Sequence, residues 1–346
     1  MQNNIKMEEY ILRAMTQGFV PTMTIYTACE LNIFEVLYKV EKSLTEIAEE
    51  LKIEEGILFR FLRILVAYDL VLDAGGIYKD TKIGEKLSEK STGNLKGYVL
   101  YSGRECMRAW GKMSEAMLKN TYPYQLLEGD SFFKIQEEDE RKFYSFNAMM
   151  SKTSSDIDFK KYFSSKIDSE KRGQILDVGG GAGCVLFKFL KHYKFMNGEI
   201  LDLEHVKEVA EEGISRNHLR DRCNFRTGDF FEEYSGEADI VILSKILHDW
   251  EDDKAQVIIN NVKKVMNPNA TLIVIEKKLP CNIEREAIND YIQDLNIWAL
   301  CGGKERTEEE FRDLFEKCQL EIISIVELNT GDYLFEIKEQ EERGAI

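Results

Sequence analysis

Apolar positions change their period twice along the chain. Ile47, Leu51, Ile57, Phe61, Leu62 and Leu65 recur at helical spacing, which predicts two consecutive helices. Ser43-Leu44-Thr45-Glu46 reads as a capping box opening the first, because a serine hydroxyl and a glutamate three residues on can each satisfy the other's backbone N–H. Leu70 to Tyr78 then gives two short apolar strands around Gly75-Gly76, so helix, turn, helix and hairpin form a winged-helix pattern. Residues 101–170 read as helical and rich in aromatics: Trp110, Tyr122, Tyr124, Phe132, Phe133, Phe143, Tyr144 and Phe146. Most of these are expected in the core, with Pro123 marking a turn. From Gln174 onward short apolar runs alternate with helices, the signature of a parallel sheet covered on both faces. Strands are expected at Ile175–Val178, Ile200–Leu203, Asn224–Thr227, Ile240–Ser244, Leu272–Glu276, Ile322–Glu327 and Tyr333–Ile337. The last two are joined only by Leu328 to Asp332, too short for a parallel crossover, so they should pair antiparallel.

Composition narrows the function classes. At 346 residues the chain has room for about two domains. Its 44% hydrophobic content fills a sizeable core, but no apolar run nears the ~18 residues of a membrane span. A net charge of -16 disfavours nucleic acid and anionic membrane as partners. Residues 1–100 carry 12 Lys/Arg against 15 Asp/Glu, without the basic footprint a DNA-reading winged helix needs. MQNNIKMEEY shows no basic stretch followed by an apolar core, so no export signal is expected and the expected compartment is the cytoplasm. Seven scattered cysteines without a C-x-x-C pair are expected to be buried reduced thiols, and four histidines without close pairing complete no metal-ligand pattern. No metal is expected.

Three elements carry candidate binding chemistry. The first strand of the sheet runs into Leu176-Asp177-Val178-Gly179-Gly180-Gly181-Ala182-Gly183, a glycine-rich turn at a helix start that lets a ligand approach the backbone. The dinucleotide fingerprint would place glycine where Cys184 stands, which disfavours NAD. Asp202, ending the second strand 23 residues after Gly179, can accept both hydrogens of a ribose diol. Asp229, in Gly228-Asp229-Phe230-Phe231, can accept from an adenine amino group beside a stacking ring. Taken singly, the turn is also an ordinary strand-to-helix turn and Asp202 a solvated strand-end charge. Together they describe an adenosine site without a pyrophosphate.

The ordered segments LDVGGGAG, DLEHV, GDFF, SKILHDW, VIEKKLP and GGKERTEEEF resemble the motifs of class I S-adenosylmethionine-dependent O-methyltransferases of the caffeic acid and acetylserotonin methyltransferase type. Residues 10–90 are also similar to that family's helical winged-helix dimerisation domain. The resemblance implies an α/β fold: a Rossmann-like seven-stranded methyltransferase sheet, last strand antiparallel, behind an N-terminal dimerisation domain. The implied organisation is a dimerisation domain at 1–100, a helical linker and acceptor-pocket segment at 101–170, and an S-adenosylmethionine-binding domain at 171–346. It further implies a homodimer acting on a hydroxyl of a small aromatic or heteroaromatic compound, with S-adenosylhomocysteine as the spent cofactor. Carried over by position, Gly179 would lie against the methionine portion, Gly181 would belong to the cofactor site and Asp202 would hold the ribose. Asp229 with Phe230 would hold the adenine, and Lys245 would lie near the cofactor. His248 would be the general base, flanked by Glu276 and Glu305, with Asp249, Phe146 and Met150 toward the acceptor. Glu204 and Phe230 depart from the usual proline and methionine, and Leu295 to Gly303 is shorter than in the plant enzymes. Two other functions stay open: a relative that methylates nitrogen, carbon or sulfur or runs another reaction, and a metabolite-sensing DNA-binding regulator.

Overall fold

The computed structural model describes residues 2–164 and 172–340. They fall into two compact units, Met1–Arg108 with Asp139–Lys152, and Ala109–Glu138 with Thr153–Ile346, so residues 101–170 divide between the two.

In the first unit the capping box forms as the sequence predicts: Glu46 N–H donates to Ser43 Oγ at 3.3 Å and Ser43 N–H to Glu46 Oε2 at 2.7 Å. It opens the helix Leu44–Leu51, and Glu55–Ala67 follows. Strands β1 (Lys42–Ser43), β2 (Val71–Asp73) and β3 (Ile77–Asp80) make an antiparallel sheet in the order β1-β3-β2. Phe34, Ile47, Leu58, Leu62 and Leu65 fill the core, whereas Ile57 points to solvent, one position off the buried face. Met7, Tyr10, Leu12, Met15 and Phe19 are each more than half exposed, an uncovered apolar face on the first two helices.

The second unit holds β4 (Gly173–Val178), β5 (Met196–Asp202), β6 (Cys223–Thr227), β7 (Ala238–Ser244), β8 (Met266–Glu276), the short parallel pair β9 (Lys278–Leu279) and β10 (Arg306–Thr307), β11 (Leu320–Glu327) and β12 (Tyr333–Glu339). The seven-stranded sheet is ordered β11-β12-β8-β7-β4-β5-β6, with β12 antiparallel to both neighbours. Both faces are buried. Ile175, Ile240, Ile242, Ile273 and Ile275 belong to one apolar layer, while their alternates Leu176, Val241, Leu243, Leu272 and Val274 belong to the other. Strand order reverses beside β4, and ligands of open α/β sheets bind at the carboxyl ends of strands at such a point.

Two expectations need correction. Of the eight aromatics named above only Tyr124 and Phe132 are buried; Trp110 and Tyr144 are exposed and the rest are half-buried. All seven cysteines are free, but only Cys29, Cys223 and Cys318 are buried. Pro123 starts a helix, at its first position, where a missing N–H costs nothing. Among the described residues no helix is long and apolar enough to cross a membrane.

Candidate active site

Nearly all the candidate residues of the second unit sit just past the carboxyl ends of its parallel strands. Gly179 follows β4 with φ +67°, and a side chain there would lie 2.4 Å from Ile246 and 3.5 Å from the Phe230 ring, so only glycine lets these segments meet. Asp202, ending β5, turns back to this turn: its Oδ2 accepts from Gly181 N–H at 2.8 Å and its Oδ1 from Leu203 N–H at 2.8 Å. The space where a Gly181 side chain would stand is open. Beneath the turn Asp177 is buried, and neither of its oxygens meets a donor at hydrogen-bonding geometry. Burial first, and the charge of Asp202 second, push its carboxyl up to about 7. Asp229 is exposed, its Oδ1 accepting from Phe231 N–H at 2.8 Å, and Phe230 is half-buried. Open backbone at the strand end, a ring nearby and buried carboxyl oxygens short of donors fit an adenosine carrying a cationic amino-acid tail.

His248 lies in the 3₁₀ turn Leu247–Asp249 after β7, almost wholly buried. Its Nδ1 is 2.9 Å from Glu305 Oε1 and 3.4 Å from Glu276 Oε2, and its Nε2 is 3.7 Å from Asp249 Oδ1. With Nδ1–H donated to Glu305, the neutral ring presents Nε2 as the proton acceptor. Burial opposes charge on the ring, but Glu276, Glu305 and Asp249 together outweigh it and raise the imidazole to about 10. The two flanking acids divide. Burial pushes Glu276 up, whereas Glu305, also penalised by burial, is held below the usual carboxylate range by His248 and Lys245. Asp249 is lifted by burial to about 6 despite the pull of His248.

Backbone contacts fix the turn. Glu276 Oε1 accepts from the N–H groups of Ile246 at 3.0 Å, Leu247 at 2.8 Å and His248 at 3.4 Å. Lys304 N–H donates to His248 O at 2.9 Å, and a Gly303 side chain would collide with that carbonyl at 2.1 Å. Arg306, fully buried, donates to Leu247 O and Trp250 O at 2.8 Å each and to Asp252 Oδ1 at 2.9 to 3.0 Å. Sequence reasoning gave Arg306 no role and gave Glu276 only the imidazole. Lys245 has φ +59°, a side chain 10% exposed and its ammonium 2.5 Å from Asp332.

His248, Glu276 and Glu305 offer donor atoms within 4.8 Å of one another, a spacing a cation could also use. Here the imidazole and the Lys245 ammonium already answer the two carboxylates. Beside the turn a cavity of about 290 Å³ is lined by Asp249, Trp250, Tyr122, Phe132, Phe133 and Cys301. The rings of Phe133 and Trp250 stack at 5.6 Å and 27°. A surface groove of about 660 Å³ between Lys39 and Glu85 of the first unit contains none of the candidate residues. Phe146 and Met150 belong to the first unit, on the helix Glu140–Asp156, with the Phe146 ring 6.0 Å from that of Tyr101.

The chain is similar to known proteins over most of its length. A family model of the O-methyltransferase domain matches residues 110–319, and one of the O-methyltransferase dimerisation domain matches residues 14–90. Mitomycin biosynthesis 6-O-methyltransferase of Streptomyces lavendulae is 27% identical over 91% of this chain and 89% of its own length. Phenazine O-methyltransferase PhzM of Lysobacter antibioticus is 26% identical over 88% and 89%. Human N-acetylserotonin methyltransferase, solved in complex with S-adenosylmethionine, superposes with a TM-score of 0.82 at 22% identity, covering 96% of this chain and 98% of that one. The chain belongs to the O-methyltransferase family and is an S-adenosylmethionine-dependent O-methyltransferase.

Proposed function

We propose that the chain methylates a hydroxyl of a small aromatic or heteroaromatic compound, with His248 removing the hydroxyl proton. The observation that carries this reading is the imidazole held at Nδ1 by Glu305, 2.9 Å away, with Nε2 left as the acceptor. An unperturbed phenol, near ~10, is a poor nucleophile at neutral pH until a base takes its proton. In its neutral form, a base raised to about 10 is strong enough to take the proton of such a phenol. Glu305 fixes the tautomer, while Glu276 holds the turn and favours charge on the ring. Relatives named for mitomycin and phenazine substrates, and the stacked aromatic wall beside Asp249, support a flat acceptor. Asp249, beside that wall, is proposed to meet it. No metal is needed, because the base and its carboxylates do the proton work. The direct test is a screen of phenols, hydroxyindoles and catechols for products heavier by one methylene; a methyl found only on nitrogen, carbon or sulfur would overturn the reading.

When bound, S-adenosylmethionine supplies a methyl group already activated on a sulfonium. Gly179, Gly181, Asp202, Asp229 and Phe230 are proposed to hold it, with Lys245 nearby. Asp202→Ala is expected to weaken binding by about 1.5–3 kcal/mol, the worth of a charge-assisted hydrogen bond. Calorimetry that finds unchanged affinity in the folded variant would remove the ribose assignment.

The working unit proposed is a cytoplasmic homodimer paired through residues 7–100, which include the dimerisation-domain match at 14–90. The exposed face of Met7, Tyr10, Leu12, Met15 and Phe19 is more apolar surface than a lone domain leaves to water. Light scattering should give twice the chain mass, and a stable monomer at working concentration would contradict the pairing.

A further inference from the structure

We infer that Asp332, on the turn between β11 and β12, is a positioning residue for methyl transfer, holding the Lys245 ammonium in the buried cluster around His248. The inference rests on the reading that His248 takes the acceptor's proton.

Three neighbouring strand ends bring the pair together. Lys245 leaves β7 just after Ser244, which pairs with Ile275 of β8, and its N–H donates to Ile275 O at 3.0 Å. Glu276, the next residue of β8, lies opposite Tyr333 of β12, so Asp332 enters β12 beside the acid that carries the His248 turn. Lys245 Nζ and Asp332 Oδ1 are 2.5 Å apart, with side chains 10% and 3% exposed. A turn built around Asp332 holds it there. Thr330 Oγ1 donates to Asp332 Oδ2 at 2.8 Å, Leu328 N–H to Asp332 O at 2.8 Å, and Lys277 Nζ to Gly331 O at 3.2 Å.

A nearly buried ammonium needs a counter-charge, and the other carboxylates within its electrostatic reach are Glu276, Glu305 and Asp249. Those are the acids that orient and charge the imidazole. Asp332 satisfies the lysine, which leaves them to His248. The groups around the imidazole are Glu276 from β8, Glu305 before β10, and Asp249 from its own turn with Cys301 against it. Behind them stand Lys245, Asp332, and Asp294, whose Oδ1 accepts from Glu305 N–H at 2.8 Å.

Asp332→Asn removes the counter-charge and keeps the shape. The His248 imidazole should then titrate about one pH unit lower, since an unbalanced positive charge faces it across the carboxylates. With four histidines in the chain, ¹⁵N-imidazole NMR follows that titration directly, and kcat/KM against pH should move the same way. The double variant Lys245→Met/Asp332→Asn, which removes both charges and leaves no buried ion unpaired, should return the titration most of the way to wild type. Asp332→Glu should preserve it. Should Asp332→Asn alone fail to fold, Lys245→Met against the double variant gives the same comparison from the other side. A His248 titration identical in wild type and Asp332→Asn overturns the proposal. Normal turnover in His248→Ala would instead overturn the general-base reading, a separate outcome.

Discussion

Replacing His248 with alanine is expected to lower turnover by roughly 10²–10⁴-fold while leaving affinity for S-adenosylmethionine near wild type. The ring is tied to Glu305 and Glu276 beyond β7, whereas the glycine turn and Asp202 stand at the ends of β4 and β5. Binding should therefore survive the loss of the base. The residual rate should climb with pH toward the acceptor's own pKa, because solvent can then supply the deprotonated hydroxyl, and acceptors of lower pKa should be less affected. In the wild type, a base lifted to about 10 is mostly protonated at neutrality, so kcat/KM should keep rising well above pH 6.5. Glu276→Gln removes one of the charges that lifts the ring and should move this limb to lower pH. Glu276→Gln and Glu305→Gln should each cost less than His248→Ala, and their losses should collapse in its background, since both act through one imidazole. Normal turnover of His248→Ala at neutral pH would leave alignment of the two substrates as the whole mechanism.

The sheet was legible because its strands are buried on both faces and read as unbroken apolar runs between helices. The antiparallel β12 followed from a five-residue connection, a constraint of chain length alone. The capping box at Ser43 was legible because its partners lie three residues apart. The supports of the site were not. Arg306 sits in Gly302-Gly303-Lys304-Glu305-Arg306-Thr307-Glu308, a charged run that reads as a solvated surface, yet it is fully buried. Its partners are carbonyls and a carboxylate 54 to 59 residues earlier, and such pairings carry no periodic signal. Asp332, 87 residues from Lys245, is hidden for the same reason. Six of the eight aromatics between Trp110 and Phe146 are not buried, because aromatic density says nothing of which way each ring faces. Trp110, exposed, uses its indole N–H to bond Asn296 at 3.0 Å.

Arg306→Met is expected to destabilise the protein by about 3–5 kcal/mol, the cost of breaking a buried charged network from one side. Methionine nearly fills the volume but donates nothing, so the carbonyls of Leu247 and Trp250 lose their guanidinium donors, Leu247 O keeping only the 3.3 Å bond from Trp250 N–H, and Asp252 loses both contacts with Arg306. Arg306→Lys should recover only part of the loss, because a single ammonium cannot span two carbonyls and a carboxylate with the fixed fork of a guanidinium. The functional effect should exceed what unfolding explains. Leu247 and Trp250 bracket His248, so a loosened turn misplaces the base while Asp202 and the glycine turn keep their own contacts. At a temperature where thermal denaturation shows the variant fully folded, kcat should still be down by tenfold or more, on the order of a small misplacement of a catalytic group, with cofactor affinity little changed. A folded Arg306→Met enzyme with wild-type kcat would make the arginine a stabilising residue only and would show that Glu276 and Lys304 suffice to hold the His248 turn.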